Sequence, residues 1–383
     1  MSAAPLSGAA ALGDGGLDRM VALRSSVCRL GAEDGRLSYR GFDVRELAEH
    51  STYEETAFVL VHGDLPSGAE LRFFSRDLRA KQKLPPAVLK ALKAAPPSTD
   101  AMAVLRTALS TAGYDDVVPL PPSGEGALHQ GLRLIALTPT VVAALYRLSR
   151  GQRPVTPRKS LGFAANFLYM LRGETPDRDS AHAFDVGLIL RADNELNPST
   201  FAARVAAATG TDLYGAVAAA VATLAGPRHG GHARAVIQLL DELGSTGNVA
   251  RAVQTRLEQD QKIPGFGHAV YRGEDPRTAQ LRSLAETQCA RAGLPGLFRT
   301  ARELEAVVLR DAGQYPIVDF YLAPLYRALG IPVELFTPVF ALSRMSGWVA
   351  HVLEQYRDVR LIRPRAEYVG PLPRAYVPIR KRR

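Results

Sequence analysis

Three short segments of the sequence each place a titratable side chain inside a turn shaped by glycine or proline. In chain order they are residues 226–232 (GPRHGGH), 264–271 (PGFGHAVY) and 315–321 (YPIVDFY). Such turns bring the backbone close to a ligand and hold a side chain rigidly. Their titratable residues include His229, His268 and Asp319. Imidazoles and carboxylates are the groups from which acid–base catalysis is most often built.

Each segment taken alone also has a structural interpretation. A histidine beside glycine is more often structural than catalytic, and His229 with His232 has the spacing of half a metal site. No cysteine or carboxylate at a suitable spacing completes that site, so we predict no metal ion. The occurrence of all three segments in this order is more specific than any one of them.

The composition is that of an ordinary globular protein. Of the 383 residues, 46% are hydrophobic and 22% are charged, which argues against a disordered or fibrous chain. The length is sufficient for a large core and for two or three domains. Two cysteines, Cys28 and Cys289, form neither a disulfide framework nor a zinc cassette, and they favour a reducing, cytoplasmic location.

The charge pattern favours small anionic ligands over nucleic acid or a membrane surface. The formal net charge is +9, and the last four residues, RKRR, supply four positive charges on an end that we expect to be solvated. No basic stripe interleaved with aromatic residues and no nucleic-acid motif is present. Residues 1–25 resemble no signal peptide and are expected to be flexible, and no run of about 18 apolar residues predicts a membrane helix.

Helical signals dominate the chain. Residues 52–55 and 67–70 have the spacing of a capping box, and Asn197-Pro198 and Thr337-Pro338 have the form of helix starts. One short hairpin is predicted around Asp34-Gly35. The segment GPRHGG follows a helical pattern and lacks the Lys-Ser/Thr ending of a phosphate loop. A Rossmann or P-loop enzyme is therefore disfavoured.

The order of these motifs resembles that of the citrate synthase family over most of the chain. Beside the three turns, the similar blocks are residues 39–43 (YRGFD), 165–170 (ANFLYM), 192–197 (ADNELN), 343–348 (SRMSGW) and 362–365 (IRPR). The resemblance implies an all-α, mainly helical, citrate synthase-like fold with minor strands near both termini. It implies a large discontinuous domain, residues 1–227 and 331–383, and a small helical domain, residues 228–330.

The resemblance also implies the reaction and its catalytic residues. An acyl-CoA loses a proton beside its thioester, the enolate attacks the ketone of an oxoacid such as oxaloacetate, and the new thioester is hydrolysed. Asp319 matches the general base, His229 the donor to the enolate oxygen, and His268 the donor that polarises the oxoacid carbonyl. No metal or prosthetic group is implied, and the expected partners are these substrates and a second copy of the chain.

Two further sets of residues match binding positions of the family. Asn194, Arg277, Arg344 and Arg363 match residues that contact the oxoacid, with Arg363 reaching in from the other subunit of a homodimer. Guanidinium groups suit this task because they bind carboxylates bidentately. The CoA-binding residues implied by the resemblance are Lys262, Pro264, Gly265, Phe266 and Gly267.

The sequence departs from the common family pattern at three places. Asn194 stands where histidine is usual, which replaces a charged hydrogen bond by a neutral one and costs about 1 kcal/mol of oxoacid binding. Ile317 and Leu322 replace polar neighbours of the base. Arg228 precedes His229, and we expect its charge to keep the imidazole neutral.

These departures leave three interpretations of the function. The leading one is synthesis of citrate from acetyl-CoA, oxaloacetate and water. The near alternative is a 2-methylcitrate synthase that uses propionyl-CoA. The third, from a different class, is a non-catalytic ligand-sensing relative, which the presence of His229, His268, Asp319 and the arginines opposes. The residues before the hairpin are too few for a helix-turn-helix, so no DNA-binding role is expected.

Overall fold

The computed structural model describes residues 21–31, 34–268, 270–358, 360–371 and 373–382, without the side chains of residues 245 and 246. The prediction of a flexible segment at residues 1–25 falls largely outside these ranges. The described residues form sixteen α-helices and three short strands, which confirms the mainly helical fold. The strands are β1 (Cys28–Leu30), β2 (Leu37–Tyr39) and β3 (Phe42–Asp43).

All of the α-helices follow the strands in the chain. They are α1 (Val44–His50), α2 (Tyr53–His62), α3 (Gly68–Lys81), α4 (Pro86–Ala94), α5 (Ala101–Thr111), α6 (Gly124–Ser149), α7 (Phe163–Arg172), α8 (Arg178–Ile189), α9 (Pro198–Ala207), α10 (Leu213–Leu224), α11 (His232–Thr246), α12 (Val249–Glu258), α13 (Thr278–Arg291), α14 (Pro295–Ala312), α15 (Val318–Ala328) and α16 (Phe336–Arg357).

The predicted hairpin is present and has a third strand. β1 pairs antiparallel with β2, and Gly35 lies in the connection at a φ of 62°, which favours glycine. β3 pairs with β2 on the other side. The hydroxyl of buried Tyr39 donates to the carbonyls of Ile189 and Asp193, each at 3.2 Å. The small sheet therefore anchors the connection between α8 and α9, which carries Asn194.

The predicted helix starts are confirmed by their caps. Ser67 and Glu70 form a complete capping box at α3, and the Asn197 side chain caps α9 with Pro198 in the first turn. The Thr52 side chain caps α2. The helix predicted from Thr337-Pro338 begins one residue earlier, at Phe336. Side-chain caps thus mark where α2, α3 and α9 begin, whereas α16 begins without one.

Two long helices form the centre of the larger helical group. α16 is buried along most of its length and packs against α2, α6, α9 and α10. α6 is long and apolar enough to cross a membrane by length and composition alone, although the sequence showed no uninterrupted apolar run. Its most apolar window is 78% buried within the protein, which is the arrangement of a core helix.

A second group of helices packs mainly on itself. α15 lies against α11 and α13, and α14 lies against α11 and α12. These helices fall within residues 228–330, although the domain boundaries themselves stay a prediction. The described C-terminal residues 360–371 and 373–382 form no strand, because an extended segment needs a neighbouring strand and the described part of the chain provides none beside them.

We expect Gly347→Ala to lower the free energy of unfolding by about 1–3 kcal/mol, because an added methyl group overpacks the core. A Cβ atom there would lie 2.4 Å from both the Ala192 carbonyl oxygen and Asp193 Oδ1. Gly244, inside α11, has open space where a Cβ atom would lie, so Gly244→Ala is the matched control and should be neutral or stabilising. Urea unfolding measures both, and equal effects would contradict the packing argument.

Candidate active site

Asp319 lies in the first turn of α15 and is only 6% exposed. Its Oδ1 atom accepts a hydrogen bond from the guanidinium of Arg191, which lies just after α8. Among the described residues, no group hydrogen-bonds to the other oxygen, Oδ2. The carboxylate is therefore held at one oxygen and free to accept a proton at the other. Sequence reasoning missed Arg191, since no motif marks a lone arginine.

His229 lies in the tight turn between α10 and α11. Its Nε2 atom is 2.8 Å from Ser199 Oγ, and that oxygen also accepts from the indole N–H of Trp348 at 3.2 Å. Burial, followed by the charges of Arg344 and Arg191, lowers the pKa of His229 to about 4. The imidazole is therefore neutral at physiological pH.

The expected neutral state of His229 has a different cause from the one inferred from sequence. Arg228 was expected to disfavour the imidazolium, but its side chain is exposed to solvent. Exposed charges are screened by water, whereas buried ones are not. Burial of the ring lowers the pKa of His229 most, and the buried Arg344 and Arg191, which are distant in the sequence, add to the effect.

His268 has its tautomer fixed by the backbone that follows it. Its Nδ1 atom accepts hydrogen bonds from the amides of Val270 and Tyr271, each at 3.0 Å. Burial, followed by the charge of Arg277, lowers the pKa of His268 to about 4. A neutral ring whose Nδ1 accepts must carry its proton on Nε2. His268 therefore presents an Nε2–H donor, as the proposed contact with a carbonyl requires.

The second and third sequence turns are joined to each other. The Ile317 amide donates to the Gly265 carbonyl at 2.9 Å, and the Gly267 amide donates to the Tyr315 carbonyl at 3.1 Å. Gly265 has a φ of +86°, and a Cβ atom there would lie 2.9 Å from the Phe320 ring. Glycine is thus required where the predicted CoA-binding loop meets the segment that leads to Asp319.

Arg277 is buried and already holds a carboxylate of its own chain. It binds Asp275 through two hydrogen bonds, Nε to Oδ1 at 2.8 Å and Nη2 to Oδ2 at 2.7 Å. Its Nη1 atom donates to Asn194 Oδ1 at 3.3 Å. The structure therefore brings Arg277 and Asn194, both expected to contact the oxoacid, together. It leaves only some of the guanidinium N–H groups of Arg277 free to bind a ligand.

Arg344 makes fewer hydrogen bonds than Arg277, the other buried arginine expected to bind the oxoacid. Its Nε atom donates to the Arg191 carbonyl at 3.0 Å, while its two terminal nitrogens have no hydrogen-bond partner among the described residues. Burial lowers the pKa of Arg344 to about 10, against the opposing effect of Asp193. A buried guanidinium with free terminal N–H groups is suited to bind a carboxylate.

A buried network supports the turn that carries Asn194. The Arg204 Nη1 atom is 3.1 Å from His351 Nδ1, and His351 Nε2 is 3.1 Å from Asp193 Oδ2. Because arginine only donates, Nδ1 accepts and Nε2–H donates to Asp193. These residues lie about 150 positions apart in the chain, so sequence reasoning missed them.

The remaining predicted residues lie towards the surface. Lys262 and Gly267 are exposed, Pro264 is half-buried, and Phe266 packs its ring against Phe320 at a centroid distance of 4.6 Å. Arg363 lies in the exposed, extended C-terminal segment and is not brought to the site by its own chain. Its proposed role in a partner subunit stays a prediction.

Other parts of the molecule offer no competing centre of this kind within the described residues. A cavity of about 650 Å³ lies between the α4–α5 loop, α6 and α11, and none of the catalytic candidates lines it. Across the described ranges, no cluster of three or more His, Cys, Asp or Glu side chains could hold a metal ion. The chemistry-bearing groups concentrate around Asp319.

Comparisons with known proteins identify the family. Residues 16–365 match the family described as citrate synthase, C-terminal domain. Citrate synthase 2 of Bacillus subtilis (strain 168) is 41% identical over 96% of this chain and 98% of its own length. The citrate/2-methylcitrate synthase of the same organism is 38% identical over 93% of this chain and 96% of its own length.

A solved structure supports the same fold. The citrate synthase of Thermoplasma acidophilum, in a ternary complex with carboxymethyl coenzyme A and oxaloacetate, superposes with a TM-score of 0.90. It is 30% identical, and the alignment covers 96% of this chain and 98% of that one. The family match, the sequence identities and the shared fold agree over nearly the whole length. This chain therefore belongs to the citrate synthase family and is a condensing acyltransferase of the citrate synthase type.

Proposed function

We propose that the enzyme condenses acetyl-CoA with oxaloacetate and water to give citrate and CoA. The observation that carries the proposal is the packing of the three turns around buried Asp319. Backbone hydrogen bonds join its turn to the loop that ends at His268, and the Phe340 ring contacts both His229 and Arg191, the hydrogen-bond partner of Asp319. Proton abstraction beside a thioester needs this combination of one base and two uncharged donors. Neither a metal nor a prosthetic group takes part in the proposed chemistry.

The first step is enolisation of the acyl-CoA. Asp319 Oδ2 removes a proton from the methyl group, and His229 donates a hydrogen bond to the thioester oxygen as negative charge develops there. Because His229 is neutral, it stabilises the enolate without surrendering its proton beforehand. Removing one such preorganised donor typically costs about 2.7–4 kcal/mol of transition-state stabilisation.

The second step is attack of the enolate on the oxoacid ketone. His268 Nε2–H polarises the ketone oxygen, while Arg344, Arg277 and Asn194 bind the carboxylates. Arg344 contributes most, because its terminal nitrogens are unoccupied. Water then hydrolyses the citryl thioester, which releases CoA.

The CoA moiety is proposed to lie along residues 264–267. The backbone of Pro264, Gly265, Phe266 and Gly267 would contact the adenine, and exposed Lys262 would meet a phosphate. The hydrogen bonds that the loop donates to Tyr315 and accepts from Ile317 support the proposal, because they join the CoA loop directly to the segment that positions the base.

A second candidate is condensation of propionyl-CoA to 2-methylcitrate. The name of one Bacillus subtilis relative, citrate/2-methylcitrate synthase, supports this second candidate. Leu322 and Ala323 are fully buried on α15 after the base. One extra methylene changes binding by only about 1–3 kcal/mol, so the two acyl groups compete closely. The ligand-sensing interpretation is less favoured, because the similar relatives are named as enzymes.

We further propose that the enzyme works as a homodimer in the cytoplasm. The described residues after 360 form no strand or α-helix and expose large apolar side chains, among them Tyr368, Val369, Tyr376 and Ile379. An arm of this kind would bury those side chains on a second copy, and would bring Arg363 to the partner's oxoacid site. Two buried free cysteines fit a reducing compartment.

Release of free thiol tests the reaction directly. With wild-type enzyme we expect CoA release from acetyl-CoA only when oxaloacetate is present, and a smaller or equal rate from propionyl-CoA. Asp319→Ala is expected to lower kcat by at least about 100-fold with little change in KM, because it removes the proton acceptor. Thiol release without an oxoacid, or none from any pair of substrates, would contradict the proposal.

The depressed pKa values of the two histidines predict how stability depends on pH. Both rings bind a proton in the unfolded chain near pH 6.5 but in the folded protein only near pH 4. The unfolded chain therefore holds more protons between these values, and stability falls as the pH drops from about 6.5 to 4. The urea midpoint should fall less steeply in His229→Gln; an identical slope would contradict the assignment.

Substitution of Asn194 tests which oxoacid is bound. We expect Asn194→His to tighten oxaloacetate binding by about five- to tenfold, because a charged hydrogen bond replaces a neutral one. Calorimetric titration without acyl-CoA measures this affinity, and Arg344→Ala, which should weaken it, is the opposite control. Unchanged or weaker binding in Asn194→His would argue for a different oxoacid.

A further inference from the structure

Arg191 is a buried cation that has no part in the reaction steps proposed above. Its side chain is 1% exposed, and its Nη2 atom is bonded to Asp319 Oδ1. The guanidinium carbon lies 3.5 Å from the centroid of the Phe340 ring. Its backbone carbonyl accepts the hydrogen bond from Arg344 Nε. One residue thus contacts both the proposed base and the proposed oxoacid-binding arginine.

Packing alone is a poor explanation for an arginine at this position. The Nε and Nη1 atoms of Arg191 are buried and have no hydrogen-bond partner among the described residues. Unpaired buried donors cost stability, and an apolar side chain would stack on Phe340 without that cost. What an arginine adds here is one hydrogen bond to Asp319, the proposed base, which lies 128 residues further along the chain.

The bond distinguishes the two oxygens of the carboxylate. Oδ1 is occupied by Arg191, whereas Oδ2 has no partner in the described part of the chain. A carboxylate free to rotate would offer either oxygen in many orientations, and a misplacement of about 1 Å can cost about 100-fold in rate. The Phe340 ring limits where the guanidinium can lie, and it also lies 5.9 Å from the His229 ring.

We propose that Arg191 is a positioning residue for the base. It fixes Asp319 Oδ1 so that Oδ2 alone faces the substrate methyl group as the proton acceptor. This inference rests on the proposed function, since it concerns the orientation of the base in that reaction. It predicts a defect in proton abstraction that leaves oxoacid binding intact.

Arg191→Met tests the proposal, because methionine keeps an apolar stack on Phe340 and removes the hydrogen bond. We expect kcat to fall by about 10- to 100-fold, with KM for oxaloacetate changed by less than about threefold. The deuterium isotope effect on kcat, measured with methyl-deuterated acetyl-CoA, should increase because proton abstraction becomes slower. Arg191→Lys, which can still donate to Oδ1, should recover most of kcat.

Arg282→Met is the matched control. Arg282 pairs with Glu305 and lies over the ring of Tyr321 on the same helix as the base, but it does not contact Asp319. The kcat of the Arg282→Met variant should stay within about threefold of the wild-type value. If Arg191→Met does not fold, as judged by circular dichroism, Arg191→Leu carries the test, because leucine also removes the hydrogen bond to Asp319, and kcat should again fall at unchanged KM.

Wild-type kcat in Arg191→Met, or equal losses in Arg191→Met and Arg282→Met, would overturn the positioning role. So would a change confined to KM. Failure of the proposed function has a different signature, since wild-type enzyme would then release no thiol at all. Calorimetric binding of carboxymethyl-CoA in the presence of oxaloacetate separates a lost substrate site from a misplaced base.

Discussion

A buried carboxylate paired with one buried arginine is the constraint on which this site depends. A charge removed from water is costly unless a partner compensates it, and Asp319 has the guanidinium of Arg191 and the N-terminal turn of α15. Burial also disfavours the charged forms of His229 and His268, and the charges of nearby arginines add to that effect. The site therefore combines a carboxylate paired with an arginine and two neutral imidazole donors.

The helical fold brings these groups together from distant parts of the chain. Arg191 follows α8, His229 precedes α11, Arg344 lies on α16, and Asp319 opens α15. No one of these helices makes a site alone. The buried network of Asp193, His351 and Arg204 holds the α8–α9 connection in place. The site therefore forms only when helices that are distant in the sequence pack against one another.

The parts of this structure that were predictable from sequence are local. Ser67 and Glu70 cap a helix because they lie three positions apart, and Gly35 marks a turn through its own conformational freedom. The turns around His229, His268 and Asp319 were recognisable for the same reason. The bonds from Arg191 to Asp319 and from Ile317 to Gly265 were not, because each joins residues at least 50 positions apart with no local pattern. The pairing of Asp275 with Arg277 is local, since the two residues lie two positions apart.

The most direct test of this account is a crystal structure with oxaloacetate and carboxymethyl-CoA bound, in which the carboxyl group of the analogue stands for the enolate. We predict that Asp319 Oδ2 and a ring nitrogen of His229 lie within about 2.6–3.2 Å of that carboxyl group. His268 Nε2 should lie at the same distance from the ketone oxygen of oxaloacetate. An analogue carboxyl group bound away from Asp319, or a ketone that faces no histidine, would contradict the account.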